Sequence, residues 1–163
     1  MRRSFAFGIL LLTLPLALMT RPAFAEDLKT LKTRFTSIRY TEDSQISAFF
    51  WRISGRRLDP VESRGLASNR VDELVERVEA LLEMYPSGLK FEILLVPRHV
   101  DGPHSTYSHK TGRVTAYLDR LTDGVLAHEI AHAVICAYFV TPPPEKTQEV
   151  LAQYVDKHLW ELV

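Results

Sequence analysis

Apolar residues recur along this chain with two spacings, and the alternation between them predicts its elements. Residues 34–40 (Arg-Phe-Thr-Ser-Ile-Arg-Tyr) mix polar with β-branched and aromatic positions and predict a first strand, preceded by a short lead-in. Thr41, Glu42 and Asp43 then open a helix whose Ile46, Phe49, Phe50 and Ile53 share one face, with Gly55 as its stop. Residues 56–64, polar and interrupted by Pro60, read as a connection. From Leu66 or Asn69 to Tyr85 the positions Val71, Leu74, Val75, Val78, Leu81 and Leu82 mark an amphipathic second helix, closed by Pro86 and Gly88. Strands follow at 89–96 and 114–118, separated by a polar loop at 97–112. A helix is expected from Thr122 through Phe139, a turn at Pro142, Pro143 and Pro144, and a last helix at 145–162. The expected order is β-α-α-β-β-α-α: an α+β fold with a small three-stranded sheet packed on helices.

Composition narrows the class. A chain of 163 residues with 46% hydrophobic and 25% charged residues carries one packed core. Its first 25 residues hold Arg2, Arg3 and Arg21 and no acid, leaving 17 basic against 20 acidic groups in the remainder. A weakly acidic domain is a poor partner for nucleic acid, which selects clustered Lys and Arg. Arg2 and Arg3 precede an apolar run at 5–19 that closes on Ala23-Phe24-Ala25, the pattern of an export signal. The mature domain is therefore expected to span 26–163, periplasmic or secreted, with cleavage near Ala25 and no stable membrane insertion afterwards. The alternative is an uncleaved anchor, against which the run falls short of the ~20 apolar residues that span a bilayer. Cys136 is the single cysteine, which excludes an intramolecular disulfide and leaves His and carboxylate as metal ligands.

The chemistry concentrates in residues 124–134, where His128-Glu129-Ile130-Ala131-His132 lies inside an apolar helix. Residues four apart stand one above the other on a helix face, so His128 and His132 can occupy two corners of a tetrahedral zinc site. Glu129 is turned about a quarter circle away, where it reaches a metal-bound water rather than the metal, the place of a general base. Such a pattern arises by chance in roughly one chain of this length in a few hundred. Without a metal, three buried polar groups would have to satisfy one another, which is costly.

These residues and their apolar setting resemble the zincin metallopeptidases. The branch with a third histidine wants Gly at position 135 and His at 138, where this chain has Ile135 and Tyr138. The gluzincin branch takes a glutamate from a downstream helix in a pattern Glu-Gly-x-Ala-x-Tyr; Glu149-Val150-Leu151-Ala152-Gln153-Tyr154 matches at Glu, Ala and Tyr and departs at Val150. The resemblance is to a minimal gluzincin of the peptidase MA-like group. It implies one zinc per chain on His128, His132 and Glu149, with Glu129 as base. It also implies a cleft lined by the strand before the metal helix, here 113–118, whose edge an extended peptide pairs with. Asp156, Gln153 and Glu145 are rival third ligands, and Asp156 or Gln153 equally suits a hydrogen-bond partner behind a ligating ring.

Hydrolysis of a peptide bond also needs a donor to the oxyanion that forms on the carbonyl. Candidates are Tyr107, His104 and His109 in the loop, or Tyr154 and His158 on the last helix. The expected function is zinc-dependent hydrolysis of a peptide or protein substrate, water being activated by the metal and Glu129. Two alternatives stand beside it: a zinc-containing binding or assembly module without catalysis, and a metal-free structural protein.

Overall fold

The computed structural model describes residues 28–98 and 105–161. The expected export signal, its cleavage site and His104 lie outside the described residues. Among those described, no helix is long and apolar enough to cross a membrane. The fold is α+β, with a five-stranded mixed sheet and four helices.

Strand β1 (Lys29–Lys32) pairs antiparallel with β2 (Thr36–Tyr40), and both precede helices α1 (Asp43–Ser54) and α2 (Pro60–Leu82). Then come β3 (Phe91–Val96), β4 (Ser105–Ser108), β5 (Arg113–Tyr117), α3 (Asp123–Tyr138) and α4 (Glu145–His158). The sheet order is β1-β2-β3-β5-β4, with β2, β3 and β5 parallel and an antiparallel strand at each edge. The expectation of three strands is thus corrected to five. Both additions are four-residue edge strands: β1 formed part of the lead-in and β4 part of the polar loop. The expected cleft strand is corrected as well. β5 is paired on both sides, by β3 and β4, so the free edge belongs to β4.

Local chemistry explains the helix limits. Glu42 and Gln45 form a reciprocal capping box at the start of α1, and Gly55 ends it at φ 71°, a left-handed conformation that a side chain would strain. α2 begins earlier than its apolar spacing suggests. Pro60 is its first helical residue, and Asp59 accepts the backbone N–H groups of Val61 and Glu62 at 2.8 and 3.0 Å, so this proline starts a helix instead of breaking one.

One face of the sheet supplies Ile38, Phe91, Ile93, Leu95, Val114 and Ala116 to a core shared with Phe49, Leu74, Leu126 and Ile130 of the helices. Register sets Ile38, Ile93 and Val114 side by side across the three parallel strands. Each such fully buried aliphatic side chain contributes on the order of 1.5–3 kcal/mol. On the opposite face Glu92 lies between Arg39 (3.6 Å) and Arg113 (2.5 Å), a charged row that bridges the same three strands. Trp160 is 43% exposed and lies between Arg70 and Arg77, while Leu159 fills the core position beside it.

Candidate metal centre

Helix α3 runs through the middle of the molecule, against α2, α4 and β4. Leu126, Ala127, Ile130, Ala131, Ala133, Val134 and Ile135 are all buried, as expected of a helix apolar around its whole circumference. Thr122 caps it, its hydroxyl oxygen accepting the Val125 N–H at 3.1 Å. His128, Glu129 and His132 interrupt this apolar surface on the side facing β4 and α4, where they line one cleft together with Tyr107 and Glu149.

The proline turn returns the chain as α4, where the Thr147 and Gln148 N–H groups both donate to the Pro144 carbonyl. Ala152 and Val155 are buried on its inner side. Val150, the departure from the gluzincin pattern, is 61% exposed and so does not hold the two helices apart. Glu149 therefore reaches α3: Oε2 lies 3.4 Å from His128 Nε2 and Oε1 3.3 Å from His132 Nε2. The two Nε2 atoms are 3.3 Å from each other. Donor atoms on a tetrahedral zinc with bonds of ~2.1 Å stand ~3.4 Å apart. The two carboxylate distances here belong to different oxygens, and the triangle of one donor atom from each residue has no side longer than 4.8 Å.

A hydrogen-bond partner stands behind each ring. His128 Nδ1 lies 3.0 Å from Asp156 Oδ2, and His132 Nδ1 lies 3.2 Å from Gln148 Oε1. Gln148 Nε2 donates to the Pro143 carbonyl at 2.8 Å, which orients the amide with its oxygen toward His132. Each ring has an acceptor at Nδ1 and a Glu149 oxygen near Nε2, and the tautomer with its proton on Nδ1 is the one that leaves Nε2 open to a metal. In that tautomer the two Nε2 atoms and the Glu149 carboxylate make a donor set that fits a divalent cation and suits zinc. His128, His132 and Glu149 are the group among the described residues that meets the geometry for holding a metal ion.

Comparison with known proteins adds no relative: no family model, curated protein or solved structure matches this chain. What the centre can do rests on its own geometry.

Glu129 is 7% exposed and stands outside the ligand triangle. Burial pushes its carboxyl up to about 7, against the pull of His128 and of a hydrogen bond from the Tyr107 backbone N–H. That bond fastens the carboxyl to edge strand β4. Clefts of about 560 and 410 Å³ lie on either side of His128 and Glu129, and both have Ser105 at the start of β4 in their walls. Gly124, Val125 and Asp156 line the smaller; Tyr107, His109, Glu145, Gln148 and Glu149 line the larger. A bigger cleft, about 680 Å³, lies beside α1 and includes Glu42, Trp51, Arg52 and Asp119, but its walls carry no histidine or cysteine.

The remaining candidates from the sequence separate clearly. Tyr107 and His109 are brought to the cleft, and burial, with Cys136 nearby, pushes the Tyr107 hydroxyl up to about 12, keeping it a neutral donor. Tyr154 and His158 lie against each other, with ring centroids 4.4 Å apart and planes tilted by 40°, and line neither cleft. Asp156 is behind His128, Glu145 at the cleft wall, and Gln153 exposed. Sequence reasoning missed Gln148 and Ser105. Gln148 had a signal, since it adjoins Glu149 on a helix already assigned a ligand, whereas Ser105 becomes visible only once β4 is known to be a strand.

Proposed function

We propose that this chain is a zinc-dependent peptide hydrolase of the gluzincin type, exported by way of residues 1–25. The observation that carries this reading is the convergence of His128 Nε2, His132 Nε2 and the Glu149 carboxylate, with an acceptor behind each ring.

When bound, zinc supplies a Lewis acid that makes water nucleophilic near neutral pH and polarises the scissile carbonyl. His128, His132 and Glu149 would hold it. Glu129 takes the proton of the attacking water and returns it to the leaving amine, a role suited to a carboxyl raised to about 7 by burial. An extended peptide lies along the free edge of β4, with its side chains in the clefts to either side of His128. Tyr107 and His109 are the cleft residues available as donors to the oxyanion.

Glu129→Gln tests the reaction apart from the metal. The purified variant should keep its zinc and lose ~10²–10⁴-fold in hydrolysis of a peptide library. A library left uncut by the zinc-loaded native chain would favour a non-catalytic zinc module instead.

A further inference from the structure

We infer that Gln148 is a positioning residue of this centre: its side-chain amide holds the His132 ring with the proton on Nδ1 and ties that ring to the proline turn. This role rests on the metal-centre reading above.

The amide is committed at both ends. Nε2 donates to the Pro143 carbonyl at 2.8 Å, and a carbonyl only accepts, so the NH₂ group must lie there. Oε1 is then turned toward α3, where it meets His132 Nδ1 at 3.2 Å and the Cys136 Sγ–H at 3.4 Å, one donor for each lone pair. His132 is the more buried of the two rings, its side chain 10% exposed against 22% for His128, so little water reaches it to supply another acceptor. The two rings are held differently. Asp156, a carboxylate 42% exposed, backs His128 from the last turns of α4, whereas a neutral amide backs His132 from its first turn. A carboxylate at position 148 would serve His132 equally but has no proton for Pro143. The amide alone satisfies both, and so links the path of the turn to the direction of the metal-binding lone pair.

Two measurements on the full chain test this. The first is the zinc dissociation constant, by competition with a chromophoric chelator, alongside thermal unfolding of the zinc-free protein. Gln148→Leu should weaken zinc binding ~10–100-fold with little change in zinc-free unfolding, and Gln148→Glu, which keeps the acceptor, should recover most of that loss. The second needs no variant: ¹⁵N NMR of the imidazoles in the zinc-free native chain should show His132 protonated on Nδ1, the reverse of free histidine's preference. A native chain that binds no zinc overturns the metal centre and this role with it. Unchanged affinity in Gln148→Leu, or His132 carrying its proton on Nε2, overturns the role of Gln148 alone.

Discussion

Glu79 lies on the buried side of α2, 8% exposed, and burial raises its carboxyl above the ordinary range, with only partial relief from Arg34. The folded chain therefore holds this proton more tightly than the unfolded one, and the stability gained at low pH is lost as pH rises from the ordinary carboxylate range through the raised value. Glu79→Gln removes that dependence. Its stability relative to the native chain should increase between pH 4 and pH 7 in urea unfolding; a difference constant across this range would contradict the assignment. Residues of this scale were unevenly legible in the sequence. His128, Glu129 and His132 declare themselves because helix geometry turns a fixed spacing into a shared face. The Tyr107 N–H on Glu129 was invisible, since it depends on which strand passes α3.

Thr122 decides where α3 begins, and Thr122→Ala should cost about 1 kcal/mol in denaturant unfolding, with the far-ultraviolet helix signal of the folded state unchanged. No loss would mean that packing alone fixes this end. The helices were readable as elements because each repeats its apolar positions over several turns, and α1 and α3 lie within two residues of their expected limits. Pro60 hid the start of α2 because proline is excluded from a helix interior yet favoured at its first position, and Asp59 beside it was the cue. Strands β1 and β4 were not readable. Lys29–Lys32 has one apolar residue, and Ser105–Ser108 is polar apart from Tyr107, the chemistry of edges that must not pair indiscriminately. Their pairing comes from neighbouring strands, through registers no local pattern encodes.

The candidate centre lies where three elements meet: α3 brings two imidazoles and the Glu129 carboxyl, α4 returns a carboxylate and the groups behind both rings, and edge strand β4 forms a wall and holds the Glu129 carboxyl. None of the three forms the centre without the others. The α+β class was legible, and so was the approach of Glu149 on the last helix to His128 and His132, while the free edge was assigned to the wrong strand because β4 had been taken for loop. If the centre binds zinc only when folded, zinc should raise the unfolding temperature, and a chelator should reverse the gain. The most direct measurement is the zinc content of the purified chain and of its His132→Ala, Glu149→Ala and Asp156→Ala variants. About one zinc per chain is expected in the native protein, following the one candidate metal group found among the described residues. It should be lost in the first two variants and retained more weakly in the third. A native chain without zinc after reconstitution, or full zinc in Glu149→Ala, would contradict the account.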